Sequence, residues 1–458
     1  MRPERSRPLT ARAAAAFWAP LAATWLMMSV EGPFIAAVIA RLADPTANLA
    51  AYGVAFTLAW ICEAPIIMIM SAATALVRDR QAFHRLRRFT YALNALVTCA
   101  MVVLLSPPVF DVLVEGLIGL PREAARLTHV AAVLLLPWPA AIGYRRFYQG
   151  VMIRHGFPRG VAYGTVVRVS AMALAALGAR RVPGLPGASV GALALSAGVV
   201  AEAVAARLMA SGVVRHLLDD RNPLPAGANS LTTAGILRFY YPLALTPLLA
   251  LAVNPLITFF LGHSRRPLES LAVFPVVLSL TFVFRSGGIA LQETTIALIG
   301  DRLENLRVLE RLGAWLAAIL GGALTLVAVT PLSRVWFEQV AGLPPGLAGL
   351  AIVPLRILCL APALEVMMSL QRSLLVAARR TTVVTVATVV EVTGIMAGLA
   401  AGIAVFDLVG TTAAAASLLT GRVAANLFLY PLTLGTYRPG PPIPDPAGAS
   451  PPPAPAGP

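Results

Sequence analysis

The sequence predicts an all-α integral membrane protein whose twelve transmembrane helices form two pseudo-symmetric six-helix bundles. The first observation behind this prediction is the composition, with 58% hydrophobic residues, only 12% charged residues and a mean hydropathy of +0.78. A soluble globular protein has about a quarter of its residues charged, so that class is excluded. The other two observations are a series of long apolar runs and an internal repeat.

Twelve apolar runs, separated by clusters of charge, are long enough to cross the hydrocarbon core, which takes roughly 20 residues per helix. The predicted spans are 14–42, 51–77, 89–109, 128–153, 161–178, 190–214, 239–261, 271–299, 312–332, 347–376, 383–405 and 411–434. Proline removes a backbone hydrogen bond from a helix, which predicts kinks inside several spans. These prolines are Pro33, Pro65, Pro137, Pro139, Pro255, Pro275 and Pro362.

The distribution of arginine predicts the orientation in the membrane. All 36 basic residues are arginine, and against 21 acids they give a net charge of +15, which favours anionic partners, either lipid or solute. The N-terminus and every second loop hold 20 arginines, whereas the other loops hold 8. By the positive-inside rule, we expect a multi-pass protein of the cell inner (plasma) membrane with both termini in the cytoplasm.

An internal repeat of about 222 residues divides the chain into two halves. At this offset Pro20-Leu21-Ala22 matches Pro242-Leu243-Ala244, and Asp79-Arg80 matches Asp301-Arg302. Six helices per repeat give both halves the same orientation, with a pseudo-two-fold axis along the membrane normal and a substrate cavity between them. The predicted domains are a cytoplasmic arm (1–13), two bundles (14–214 and 239–434), a cytoplasmic linker (215–238) and a disordered proline-rich tail (435–458).

Several stretches resemble the progressive ankylosis family, within the superfamily of multidrug and toxic compound extrusion (MATE) proteins and polysaccharide-lipid flippases. They are Tyr52-Gly53-Val54-Ala55-Phe56-Thr57-Leu58, Gly150-Val151-Met152-Ile153-Arg154-His155, Tyr241-Pro242-Leu243-Ala244-Leu245 and Val353-Pro354-Leu355-Arg356-Ile357. The resemblance implies a MATE-like fold and export of small polyanions such as pyrophosphate, citrate or nucleoside triphosphate. In one departure, Arg168 and Glu391 reverse the acid and the base that the family carries in helices 5 and 11.

Charged side chains inside the spans are the candidate functional residues, because an unpaired charge in the bilayer costs several kcal/mol. The predicted substrate-binding residues are Arg145, Arg146, Arg168, Arg285, Arg356, Tyr148, Gln149, Gln292 and Asn254. The predicted gating or coupling residues are Glu31, Glu63, Glu365 and Glu391. We expect Arg145 and Arg146, with Tyr148 and Gln149, to form a basic vestibule, because planar guanidinium groups bind carboxylate and phosphate oxygens in pairs.

Two pairs of opposite charge occupy equivalent positions in the repeat. Glu63 and Arg285 are related by an offset of 222, and Arg168 and Glu391 by 223. Equivalent residues lie at equal depth, so each pair is predicted either to form a breakable gate across the cleft or to separate, each charge pairing inside its own bundle. Glu202 and Arg422 are expected to stabilise the bundles, and a glycine stripe at Gly394, Gly398 and Gly402 predicts close helix packing.

The predicted function is secondary active transport, with export of a small anion coupled to H⁺ or Na⁺. One alternative is a MATE-type antiporter of cations or drugs with H⁺ or Na⁺, and another is a flippase for a lipid-linked pyrophosphate. Neither a nucleophile and base set nor a spacing of metal ligands points to an enzyme, and a chain without lysine lacks the P-loop lysine. We expect no cofactor, metal or nucleic-acid partner; the sequence does not determine the oligomeric state, and a monomer is compatible with it.

Overall fold

The computed structural model describes residues 9–155, 157, 159–219, 232–251, 253–299, 303–378 and 380–434. Its regular elements are helices, apart from one isolated β-bridge between Arg265 and Val409. Part of the predicted arm (1–8), most of the predicted linker (220–231) and the predicted tail from residue 435 lie outside the described residues.

Twelve helices account for the predicted spans. They are α1 (Ala11–Ala40), α2 (Pro45–Leu76), α3 (Arg80–Leu104), α4 (Arg122–Arg154), α5 (Arg159–Ala179), α6 (Gly187–Met209), α7 (Thr233–Leu251 with Val253–Gly262), α8 (Pro267–Leu298), α9 (Leu306–Val329), α10 (Pro345–Ala377), α11 (Thr381–Ala404) and α12 (Gly410–Leu434). Ten of these, all except α3 and α7, are long and apolar enough to span a membrane. Helix α3 reaches that criterion together with Pro107–Leu117, to which it is bent by 71°. The all-α membrane fold is confirmed with ten spans among the described residues, or eleven when α3 and Pro107–Leu117 count as one, and twelve is reached only if the two described pieces of α7 form a further span.

Some of the prolines that were predicted to kink a span do interrupt its helix, because proline lacks the amide hydrogen that the helix needs. Pro65 lies in a 3₁₀ turn, Ala64–Ile66, inside α2, and Pro362 follows a 3₁₀ turn, Leu358–Leu360, inside α10. Pro275, in contrast, lies inside the uninterrupted helix α8. Proline therefore breaks α2 and α10 but not α8.

The internal repeat is visible in the backbone conformation as well as in the sequence. A short π-helical segment follows α3 at Val112–Leu117, and an equivalent one follows α9 at Val335–Val340. Left-handed residues also recur in the same register, as Asp44 with Arg266 and Gly119 with Gly342. Glycine fits the latter two positions because φ is +79° and +73° there. The two halves thus repeat unusual turns as well as helices.

The two halves of the chain meet at one end of the spans, which we call the distal end. It carries the loops around residues 41–44, 118–121, 262–266 and 341–344, and the described part of the chain begins and ends toward the opposite, proximal end. A Cβ atom added at Gly262 would overlap the carbonyl oxygen of Ile118, and one at Gly53 would lie 3.1 Å from the Pro275 ring. Only glycine allows these helices such close approach, so the distal end is closed.

Arg41 adds a polar bridge to this closure. It follows the last residue of α1, and its Nη2 atom donates to the carbonyl oxygens of Gln339 (2.5 Å) and Val340 (2.8 Å) in the other half. Its Nη1 atom donates to the Ala37 carbonyl in α1 itself (2.7 Å). Because the last carbonyls of a helix have no intrahelical partner, one guanidinium satisfies groups of both halves.

Toward the proximal end, α1 and α7 each contact the opposite half. The Trp18 indole of α1 donates to the Gly287 carbonyl of α8 at 2.9 Å, and Ala14 is fully buried among apolar residues of the C-terminal half. The Tyr240 hydroxyl of α7 donates to the Pro65 carbonyl at the break in α2. The first helix of each half is therefore held by its partner half.

Candidate functional site

Five polar side chains of the first half meet in what we call the N-terminal cluster: Glu31, Arg145, Gln149, Arg168 and Glu202. Arg145 and Gln149 of α4 both donate to Oε1 of Glu202 in α6, at 2.7 and 3.0 Å. Arg168 of α5 donates to Oε2 of Glu31 at 2.5 Å and lies 3.9 Å from Oε2 of Glu202. The charged side chains are at most 10% exposed, so the ion pairs are secluded and strongly coupled.

The second half forms a matching group, the C-terminal cluster: Arg285, Glu365, Arg372, Glu391 and Arg422. Glu365 of α10 accepts from Arg285 of α8 and lies 3.2 Å from Nη1 of Arg422 in α12. Arg422 also contacts Glu391 of α11 at 3.0 Å, and Arg372 contacts Glu391 at 3.4 Å. Three guanidinium groups thus face two carboxylates, which leaves a formal surplus of one positive charge.

The C-terminal cluster is also the more accessible of the two. The exposed fractions of its arginine side chains are 25% for Arg285, 21% for Arg372 and 17% for Arg422. Arg372 is the most weakly bound of the three arginines. Its contact to Glu391 is the longest in the cluster, and its buried Nε atom has no hydrogen-bond partner. A guanidinium with an unused N–H donor can bind an additional anion.

Close helix crossings bring these charges together. A Cβ at Gly198 of α6 would lie 2.9 Å from the carbonyl oxygen of Arg168, and one at Gly421 of α12 would lie 2.7 Å from that of Glu391. Gly394 packs against Gly421 in turn, as the predicted glycine stripe requires. The small residues therefore set the distance at which α5 meets α6 and α11 meets α12.

The expected gates across the cleft are absent from this conformation. Arg285 binds Glu365, and Glu391 binds Arg372 and Arg422, all within the second half. Arg168 is likewise engaged by Glu31 and Glu202 in its own half. The physical reason is that Arg168, Arg285 and Glu391 each find a partner on another helix of their own half, which corresponds to the second of the two interpretations left open by the sequence.

Glu63 is the one predicted gating residue that the described residues leave without an ion pair. It is 5% exposed and precedes the 3₁₀ turn of α2. The charges that act on it most strongly are those of Arg146 and Arg145. The Nε atom of Arg146 is itself buried without a hydrogen-bond partner. This carboxylate is therefore buried near cations but not bonded to one.

The predicted vestibule on α4 is packed rather than open. Tyr148 and Gln149 are each 2% exposed and Arg145 is 7% exposed. The Tyr148 ring lies 5.2 Å beneath the Arg207 guanidinium, and its hydroxyl lies 3.3 Å from that of Tyr91. These side chains form internal contacts of the first half and do not line an open entrance in this conformation.

Within the described residues, the other three predicted substrate-binding residues form no side-chain hydrogen bond or ion pair with either cluster. Arg356 is exposed near the end of the first helical piece of α10, and its Nε atom donates to the Ala328 carbonyl at 3.3 Å. Asn254 and Gln292 are half-buried, on α7 and α8. The structure thus brings Arg145, Arg168 and Gln149 together in one half. The Gln292 carbonyl accepts from the hydroxyl of Ser373, which follows Arg372 of the C-terminal cluster.

Three members of the clusters were not predicted as site residues: Glu202, Arg372 and Arg422. The sequence places each of them inside a span, but Glu202 and Arg422 were expected only to stabilise the bundles. The order of charges along consecutive helices is a sequence signal that could have identified Glu202 and Arg422. A base on α5 is followed by an acid on α6, and an acid on α11 is followed by a base on α12. Within the described ranges, no group of three His, Cys, Asp or Glu side chains is placed to hold a metal ion.

Comparison with known proteins resolves the fold. No protein-family model and no curated protein sequence matches this chain. An inward-facing multidrug resistance transporter of the MATE family in the MOP superfamily superposes with a TM-score of 0.69 and 15% identity, over 92% of this chain and 97% of that one. An outward-facing one superposes with a TM-score of 0.65 and 15% identity, over 94% and 97%.

The fold is that of the MATE transporters. The lipid II flippase MurJ, in an inward closed conformation, shares it as well, with a TM-score of 0.66 and 12% identity over 89% of this chain and 85% of that one. The MATE-like arrangement predicted from the sequence is thereby confirmed. The narrower resemblance to the progressive ankylosis family finds no support in these comparisons and stays a prediction.

Proposed function

We propose that the protein is a secondary active transporter that exports a small organic or phosphorylated anion, such as citrate or pyrophosphate, by alternating access. The two moving bodies are the halves 14–214 and 239–434. The MATE-like fold supports this proposal, because solved structures with this fold include inward-facing and outward-facing conformations. The closed distal end supports it too, since a closed end is what one of the two alternating states requires.

The surplus positive charge of the C-terminal cluster is the observation that favours an anion. In a poorly solvated interior, a third guanidinium beside two carboxylates is stabilised when an anion joins it. Arg372 is the proposed primary contact, because it is partly exposed and only loosely held by Glu391. Arg285 and Arg422 would supply further donors as the carboxylates shift, and H⁺ or Na⁺ is the proposed coupling ion.

A second candidate function is a MATE-type antiporter that exchanges cations or drugs for H⁺ or Na⁺. Glu63 favours it, because a buried carboxylate without an ion pair is the group expected to take up a proton or a metal cation. In the anion transporter, the same residue is the proposed site for the coupling ion. A lipid-linked pyrophosphate flippase is the third candidate, and its support is the fold shared with MurJ.

The proposed topology follows from the arginine distribution. Both chain ends and the proximal end would face the cytoplasm of a cell inner membrane, since 20 loop arginines lie on that side and 8 on the other. The distal end, closed in this structure, would then face outward. Arginine in the proximal loops also makes anionic lipids of the cytoplasmic leaflet proposed partners.

The decisive experiment is uptake by liposomes that contain the purified protein. Labelled citrate, labelled pyrophosphate and an organic cation are compared under imposed proton and sodium gradients. We expect saturable uptake of an anion, reduced by roughly tenfold or more in Arg372→Gln, because a hydrogen bond to a charged group is worth about 1.5–3 kcal/mol. Arg311→Gln, which removes an exposed arginine of α9, serves as the matched control.

Each alternative predicts a different result in this assay. Uptake of the organic cation alone, abolished by Glu63→Gln, would replace the anion proposal with the antiporter. Translocation of a lipid-linked pyrophosphate without uptake of either soluble solute would replace it with the flippase. Equal loss of anion uptake in Arg372→Gln and Arg311→Gln would remove the C-terminal cluster from the proposal.

A further inference from the structure

A groove that neither cluster uses lies between α1 and α5 at the distal end. It has a volume of about 220 Å³, with walls that include Phe34, Val38 and Leu177 and a rim that includes Arg41 and Arg180. The side of α5 on which it opens is apolar and exposed, as the 46% exposed fraction of Leu177 shows. In a membrane, this face of α5 contacts lipid chains.

The two arginines on the rim have no acidic partner among the described residues. In the part of the chain that the structure describes, neither Arg41 nor Arg180 has a carboxylate within salt-bridge distance. Arg41 directs three N–H groups at neutral carbonyl oxygens, and since a guanidinium has five, two remain. Arg180 follows the last residue of α5 and is exposed.

Both arginines also sit where a lipid headgroup would lie. Each directly follows the end of its membrane helix, after Ala40 in α1 and after Ala179 in α5. At that depth the hydrocarbon of the bilayer gives way to the phosphate layer, while the apolar wall of the groove extends inward along α1 and α5. The cationic rim and the apolar wall therefore match the anionic headgroup and the acyl chain of a lipid.

We propose that this groove is a binding site for an anionic phospholipid of the leaflet at the distal end. The phosphate binds between Arg41 and Arg180, and an acyl chain lies along Phe34, Val38 and Leu177. A guanidinium fits this role because its planar donors pair with phosphate oxygens and it cannot lose its charge. A free phosphate ion would use the rim only and would leave the apolar wall empty, which favours the lipid.

The test measures lipid binding to the full-length purified protein by native mass spectrometry, independently of transport. Phosphatidylglycerol and phosphatidylcholine with identical acyl chains are titrated, so that the two ligands differ only in the headgroup, which is anionic in the first and zwitterionic in the second. We expect several-fold tighter binding of phosphatidylglycerol, and loss of that preference in Arg180→Gln. Arg180→Lys, which keeps the charge, should retain most of it.

The adjacent Arg181 supplies a matched control, because it is exposed at the same end of α5 but does not line the groove. Arg181→Gln is expected to keep the preference, and a loss equal to that in Arg180→Gln would mean diffuse surface charge and overturn the proposal. Ala37→Trp, which fills the groove, should weaken binding of both lipids. Displacement of the lipid by millimolar inorganic phosphate would identify a site for a soluble anion and overturn the proposal.

Discussion

Arg422 of α12 binds Glu391 of α11 at 3.0 Å, and this contact repeats, with the charges exchanged, the pairing of Arg168 in α5 with Glu202 in α6. The opposite signs of Arg168 and Glu391, at equivalent positions of the repeat, are thus explained by pairing inside each half. Two facing helices remain paired when both charges are inverted together, so one half can reverse the order without losing the contact. The reversal needs no partner across the cleft.

We expect Glu202 to contribute strongly to the stability of the first half. Glu202→Gln removes the charge that faces Arg145 and Arg168, and an uncompensated buried charge costs about 3–5 kcal/mol of unfolding free energy. Thermal unfolding in detergent measures the effect. Glu304→Gln, at an exposed position before α9, serves as the control, and equal melting temperatures for both variants would contradict the prediction.

The pairing of Arg285 predicts which charge exchange restores function. Arg285→Glu combined with Glu365→Arg restores an opposite-charge pair within the second half but places an arginine beside Arg422, so we expect it to recover part of the stability and uptake lost in either single variant. Glu63→Arg combined with Arg285→Glu should not recover them, because Glu365 is left beside a second acid. Rescue by the latter pair, measured by uptake into liposomes, would establish a gate across the cleft.

Gly262 is expected to control closure of the distal end. Gly262→Ala places a methyl group on the Ile118 carbonyl, so the two halves must separate there. Distances between spin labels at Glu123→Cys and Glu338→Cys, in a cysteine-free background, would then lengthen. Gly322→Ala is the matched control, since nothing lies within 4 Å of a Cβ at that glycine, and an unchanged distance distribution for Gly262→Ala would refute the prediction.

We expect the hydrogen bonds of Arg41 to stabilise closure of the distal end. Arg41→Ala removes two charge-assisted bonds to the carbonyls of Gln339 and Val340, each worth about 1.5–3 kcal/mol. The distally open population, read from the same label pair, should rise by roughly tenfold or more. Arg334→Ala, an exposed arginine beside the π-helical segment, is expected to leave that population unchanged.

The sequence was sufficient for the spans, the repeat and the charges buried within the membrane. Hydrophobicity over about 20 residues is a local property, so the runs that became α1 and α8 could be read directly. Glu31, Arg168 and Glu365 could be selected in the same way, because any charge inside an apolar run requires a partner or water.

Tertiary structure alone decided which of these charges meet. Helix neighbours and crossing distances depend on contacts between distant residues, such as Gly198 against the Arg168 backbone and Gly421 against that of Glu391. The attraction between two charges decreases with distance, so the arrangement of the helices determines that Arg168 binds Glu31 in its own half and not Glu391 in the other. The sequence indicated that these charges need a partner or water, and the packing of the helices selected the partners of those that are paired.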